Sequence, residues 1–199
     1  MRDQVGWPHN KATVIMMSVL LMALVGGGLT SSSQSTSAQT GMRGPSHRAI
    51  YSRAYLPVDN IYCDHLEGMV MHLHAHVSLY IDGQNVAIPQ YVGIARNARS
   101  GHVICYYWLH VHDHSGIIHI EPPVHQTFTF GQFLNEWQQR FQGLGFPEQL
   151  SLTNGWTIWT NGLPYYGTLE SIPLTEHALI TLAYNSPNAK PDRVYAWPF

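Results

Sequence analysis

The chain has 199 residues, of which 11% are charged and 45% are hydrophobic, and its formal net charge is -2 at pH 7. This length suits one domain with an N-terminal extension. The ten Lys and Arg residues form no basic stripe, which argues against a nucleic-acid partner. The unusual residue is histidine, which occurs 13 times in a chain with few charges.

The first 29 residues are typical of a signal peptide or an N-terminal membrane anchor. Arg2 and Lys11 precede an apolar, uncharged run from Thr13 to Leu29. This run is at the short limit for a membrane-spanning helix, and a signal cleavage site is predicted after Ala38. Both interpretations place the rest of the chain outside the cytoplasm, either secreted or anchored to a membrane.

A flexible linker is predicted for residues 30–48, which are rich in Ser, Thr, Gln and Gly. Residues 49–199 are predicted to form a single His-rich domain. The chain ends in a segment with three prolines, where Trp197 and Phe199 favour a tail that packs back on the domain.

Two cysteines, Cys63 and Cys105, occur after the apolar segment. In an oxidising compartment such a pair most often forms a disulfide, and this is the favoured interpretation. Ligation of a metal by the two thiolates is the alternative.

The first long predicted strand covers Met71–Asp82, where apolar and polar residues alternate. Its polar face carries three histidines at every second position: His72, His74 and His76. A turn at Asp82–Asn85 leads to a second predicted strand over residues 86–94, in which Pro89 favours a sheet edge.

A hairpin is predicted from the next two alternating runs, Val103–Val111 and residues 117–121, with a turn at Asp113–Gly116. In this register His110 lies opposite His119. The β-carbons of directly opposed residues are about 4.5–5.5 Å apart, so these two imidazoles are expected to meet.

The period then changes to that of a helix over residues 127–141, with Thr129 as the predicted N-cap and Gly143 as the stop. Asn161 and Gly162 predict a hairpin turn, and His177–Tyr184 predicts a final strand. The order indicates an α+β fold, in which one helix packs on a mostly antiparallel sheet. A β-grasp-like arrangement is one version of it.

The histidines predict a metal site. His110, His112 and His119 are the first candidates, with His74 or His76 from the His72–His76 run completing the set. Such a set fits zinc or copper. Glu121 is a further candidate as a ligand, a general base or a partner that orients an imidazole.

Two other functions stay open. The first is a mononuclear metalloenzyme, oxidative or hydrolytic, in which Glu121 acts as acid or base. The second is an extracytoplasmic interaction domain whose histidines only form hydrogen bonds or titrate near neutral pH. The chain has no G-x-S-x-G motif and no phosphate-binding loop, so nucleophilic serine catalysis and nucleotide cofactors are not indicated.

Some motifs resemble those of known proteins. "HVHDHSG" at His110–Gly116 resembles the ligand strand of copper–zinc superoxide dismutases, but the bridging histidine and the zinc-binding Asp of that family are absent. The patterns H-x-H-A-H, Y-W-L-H-x-H-x-x-x-G-x-I-H-I-E and F-T-x-G-Q-F resemble those of exported bacterial and archaeal proteins with no assigned activity. That likeness implies a shared domain over residues 60–185 and implies no particular reaction.

Overall fold

The structure is a computed structural model, and it describes residues 55–199. The predicted signal or anchor at 1–29, the linker at 30–48 and the predicted start of the domain at residue 49 lie outside the described residues. Within the described part of the chain, no helix has the length and apolar character needed to cross a membrane.

The described residues form twelve short strands, one α-helix and three 3-10 turns. The strands are β1 (Cys63–Asp64), β2 (Leu73–Ile81), β3 (Gln84–Val86), β4 (Ile94–Arg96), β5 (Val103–Tyr107), β6 (Leu109–His110), β7 (Ile117–Ile120), β8 (Phe128–Thr129), β9 (Trp156–Thr160), β10 (Leu163–Pro164), β11 (Pro173–Leu174) and β12 (Ala178–Tyr184). The helix, α1, is Phe130–Arg140, and the 3-10 turns are Gln142–Leu144, Glu148–Ser151 and Leu169–Ser171.

The largest sheet has seven strands in the order β10-β9-β12-β2-β7-β6, with β3 also paired to β2. The β12–β2 pair is parallel and the other pairs of this sheet are antiparallel. A three-stranded sheet, β1-β5-β4, and a two-stranded sheet, β11-β8, complete the fold. The predicted α+β class is therefore confirmed, while the finer β-grasp comparison stays a prediction.

Two predicted strands are divided. The run Val103–Val111 breaks at Trp108, whose N–H donates to Tyr62 O at 3.2 Å and whose carbonyl accepts from Glu121 N–H at 2.8 Å. The chain thereby passes from the small sheet into the large one. Residues 87–93 form a loop and not the predicted second strand, because Pro89 has no N–H to donate.

The apolar face of α1 packs into the core, as its period predicts. Phe133 and Trp137 are fully buried, and Leu134 is nearly so. At the start of the helix, the N–H of Thr129 donates to the Gln132 side chain at 3.0 Å, which satisfies a main-chain donor. The helix ends at Arg140, before the predicted stop at Gly143.

The predicted Asn161-Gly162 hairpin is also present. It joins β9 and β10, and both turn residues have positive φ angles, 52° for Asn161 and 79° for Gly162. A two-residue turn of this kind needs a left-handed backbone at both positions, which Asn and Gly tolerate.

Cys63 and Cys105 form a disulfide, as predicted, with 5.4 Å between the α-carbons. The bridge closes a loop with a sequence separation of 42, worth about 4 kcal/mol in the chain-entropy model. It fixes β1 beside β5 in the small sheet. A disulfide of this kind is typical of an oxidising, extracytoplasmic compartment.

One acidic side chain lies inside the core. Glu136 of α1 is 0% exposed, and neither carboxyl oxygen has a hydrogen-bond partner among the described residues. Burial raises its pKa well above the usual value of 4.5, because the apolar core disfavours the charged form.

Replacing Glu136 by Met should stabilise the fold by about 1–3 kcal/mol at pH 7, because an unpaired buried polar group is removed. Because the folded-state pKa is raised, Glu136 is protonated in both states below pH 4.5, and above it the carboxyl group ionises first in the unfolded chain. The free energy of unfolding of the wild type therefore falls as the pH rises from 4.5 towards the folded-state pKa. The advantage of E136M over the wild type should therefore grow from pH 4.5 upwards. Urea unfolding at pH 4.5 and pH 8 measures both effects.

The matched control is Gln139→Met at an exposed position of the same helix, which should change stability little at either pH. An E136M variant no more stable than the wild type at pH 8 would contradict the assignment.

Candidate metal centre

Three neighbouring strands place three histidines in one row. His74 on β2 is the direct cross-strand partner of His119 on β7, and His119 is the partner of His110 on β6. Directly paired residues point to the same face of a sheet. The predicted pairing of His110 with His119 is confirmed, and the His72–His76 run is on the same side of the sheet.

A second pair of side chains, His72 and Glu121, lies beside this row on the same face. His72 is two residues from His74, and Glu121 is two residues from His119. Alternate residues of a strand point the same way, so all four share one face. His72 Nε2 is 3.0 Å from His74 Nε2 and 3.1 Å from Glu121 Oε1. Glu121 Oε1 is also 3.1 Å from His119 Nδ1. Four donor groups therefore meet at this end of the row.

The other end of the row carries a compact triangle of donor atoms. His110 Nε2 and His112 Nε2 are 3.2 Å apart. Glu67 Oε1 lies 3.5 Å from the first and 3.2 Å from the second. Two imidazoles and one carboxylate thus face a common point.

Glu67 is a site residue that the sequence analysis missed. It lies on the loop between β1 and β2, and no spacing rule links it to the histidines. Its neighbour Gly68 approaches the end of β7 so closely that a β-carbon there would lie 2.3 Å from Glu121 O. Gly68 N–H donates to that same oxygen at 3.1 Å. The disulfide at Cys63 holds the start of this loop.

The donor atoms form three overlapping groups, each with all its atoms within 4.8 Å of one another. The groups are His72, His74, His119 and Glu121; His110, His112 and His119; and Glu67, His110 and Glu121. Five of the six histidines predicted as metal ligands are therefore brought together, and Glu121 joins them.

Burial is graded across the cluster. His110, Glu121 and His74 are 0%, 2% and 8% exposed and form its floor. The side chains at its rim are open to solvent, with His72 55%, His112 42% and Glu67 41% exposed. An ion can therefore reach a buried set of donors from one side.

Hydrogen bonds orient two of the rings. His110 Nδ1 is 2.8 Å from Tyr107 O, an acceptor only, so Nδ1 carries the proton and Nε2 presents its lone pair to the cluster. His119 Nδ1 lies 3.1 Å from the Glu121 carboxylate. A ring nitrogen that donates to a carboxylate or carbonyl is the usual arrangement for a metal-binding histidine.

Electrostatics keep several of these groups in a ligand-competent form. Burial, together with His119 and His72 nearby, lowers the pKa of His74 to about 4, and burial lowers the pKa of His112. The interaction with the His110 side chain lowers the pKa of Glu67. His74 and His112 are therefore neutral and Glu67 is ionised near neutral pH.

Glu121 is held ionised although it is buried. Burial pushes the pKa of its carboxyl group up, but the hydrogen bond to His119 and the nearby His110 and His72 bring it below the usual value. Its second oxygen, Oε2, is buried and has no hydrogen-bond partner among residues 55–199. A buried carboxylate oxygen without a partner is costly unless a cation lies beside it.

His76, the sixth predicted ligand, is in none of the three groups. Its cross-strand partner is Ile117, and its Nε2 is 3.1 Å from Ser115 O. The ring stacks on Tyr195 with 3.8 Å between centroids. Burial lowers its pKa, with the nearby Asp192 acting against this effect. The structure thus places His76 beside the cluster and not within it.

The C-terminal tail covers part of the histidine face, as the aromatic residues of the tail predict. Trp197 stacks on His177 with 4.5 Å between ring centroids. Phe199 lies 4.1 Å from the ring of His74 and 6.4 Å from that of His119. The tail therefore shields His74, while the side chains of His72 and His112 stay open to solvent.

Comparisons with protein-family models, with curated proteins and with solved structures found no match. The chemistry of this cluster is therefore inferred from its own geometry.

Replacing Trp197 and Phe199 by Ala should expose His74 and raise its modification rate with diethyl pyrocarbonate several-fold. The reason is that these rings lie over a side chain that is 8% exposed. Mass spectrometry of the peptide that carries His74 measures the rate. Tyr166→Ala, at a residue that is 95% exposed, is the control and should leave it unchanged. An unaltered rate in W197A/F199A would show that the tail does not shield His74.

Proposed function

We propose that this protein binds copper or zinc outside the cytoplasm, through the histidines of β2, β6 and β7 and their neighbouring carboxylates. The principal ion is bound by His110, His112 and His119, with Glu67 completing the set. The role is metal handling by binding or relay, in a secreted or membrane-anchored protein.

The observation that carries the proposal is the donor triangle of His110, His112 and Glu67. Zinc binds nitrogen and oxygen at about 2.0–2.2 Å, so neighbouring ligand atoms of a tetrahedral site lie about 3.3–3.6 Å apart. The three edges of the triangle are 3.2, 3.2 and 3.5 Å. The donor atoms already have the spacing of ligands around one ion.

The donor set also restricts the class of metal. Imidazole suits zinc and copper, whereas magnesium and calcium prefer all-oxygen sites. The hydrogen bond from His110 Nδ1–H to Tyr107 O fixes that ring for coordination through Nε2. The disulfide supports an extracytoplasmic location.

Purified protein incubated with zinc or copper should retain at least one equivalent per chain after gel filtration and elemental analysis. The variant H110A/H112A/H119A should retain at least one equivalent less, because three ligands of the principal ion are removed. Circular dichroism checks that it is folded.

The matched control is H102A/H125A, which removes two exposed histidines outside the three donor groups and should retain metal like the wild type. Wild-type protein that stays metal-free after titration with both metals would refute the proposal and favour a hydrogen-bonded histidine cluster.

A further inference from the structure

The cluster has more donors than one ion uses. A zinc ion with three histidines and one carboxylate is four-coordinate and closed. If the proposed ion takes His110, His112, His119 and Glu67, three donor groups stay unused. These are His72, His74 and Glu121, and all three face the same side of the sheet.

The unused donors have ligand spacing of their own. His72 Nε2 is 3.0 Å from His74 Nε2 and 3.1 Å from Glu121 Oε1. The His119 ring lies next to them, with its Nδ1 3.1 Å from the same carboxylate oxygen. Its centroid is 4.6 Å from that of His74 and 4.5 Å from that of His112, so the ring stands between the two sets.

An independent observation indicates a cation here. Glu121 is 2% exposed, and its Oε2 has no hydrogen-bond partner in the described part of the chain. No Lys or Arg forms an ion pair with it among those residues, where its carboxylate contacts the imidazoles of His72 and His119. A buried carboxylate with one oxygen unsatisfied is stabilised strongly by a metal ion.

We propose that the histidine face binds a second divalent ion, of the same copper or zinc class, through His72, His74 and Glu121. His119 stands at the boundary of the two sites. The inference rests on the proposed metal binding and makes the centre dinuclear. The first ion lies at the His112 end of the row, while the second lies at the His74 end, where Phe199 packs against the His74 ring.

The test is the zinc content of purified wild-type protein and two double variants, by elemental analysis after removal of free metal. Wild type should retain two zinc ions per chain, and H72A/H74A and H110A/H112A should retain one each. The matched control H102A/H125A should retain two. H72A alone, at a side chain that is 55% exposed, provides the same readout if loss of the buried His74 ring disturbs folding.

Electron paramagnetic resonance with Cu²⁺ gives a second readout. Because the two donor sets share the His119 boundary, two copper ions in one chain should interact magnetically, whereas each double variant should show an isolated copper signal. Two copper ions that show no interaction would overturn the adjacent arrangement.

The outcomes separate this inference from the proposed function. One ion in wild type that H110A/H112A removes and H72A/H74A leaves in place would overturn the second site and keep the first. One ion that either double variant removes would indicate a single mononuclear centre and would overturn the second site. No retained ion in wild type would refute both proposals.

Discussion

The candidate site depends on the register of three strands. Because β2, β7 and β6 pair so that His74, His119 and His110 are direct neighbours, three imidazoles lie on one face. A slip of one residue in either pairing would turn a histidine to the opposite face, where the apolar core lies. The same register places His72 beside Glu121 and leaves His76 beside Ile117. The row of three histidines and its boundary at His76 therefore follow from one constraint.

This register buries polar side chains, and other parts of the fold offset much of the free-energy cost of removing them from water. A polar face inside a small domain is costly unless its donors and acceptors are satisfied. Main-chain carbonyls pair with His110 Nδ1 and His76 Nε2, and aromatic rings of the C-terminal tail cover His76 and His74. The buried oxygen of Glu121 is not satisfied by any described residue, and a bound cation would supply what is missing. Stability of the face and its proposed function are thus coupled through one carboxylate.

Local patterns predicted much of the fold and most of the site. The alternation of apolar and polar residues predicted β2, and the helical period of apolar residues predicted α1. The Asn161-Gly162 pair predicted a hairpin. Each of these signals is contained in a few consecutive residues. The parallel pairing of β12 with β2 joins segments about 100 residues apart, so no local pattern indicates it. The sequence did not show that His76 lies outside the donor groups, because this depends on the residue opposite it on β7, Ile117. Glu67 was missed because a loop, held by the disulfide and by Gly68, brings it to the histidines.

The central claim is that His110, His112 and His119 bind a metal ion, and the most direct measurement is nuclear magnetic resonance of the histidine ring nitrogens during zinc titration. Coordination changes the shift of the ligating nitrogen strongly. The account predicts large changes at His110, His112 and His119, with His76 and His114, which belong to none of the donor groups, nearly unchanged. Ring nitrogens of these three residues that keep their metal-free shifts at saturating zinc would contradict it.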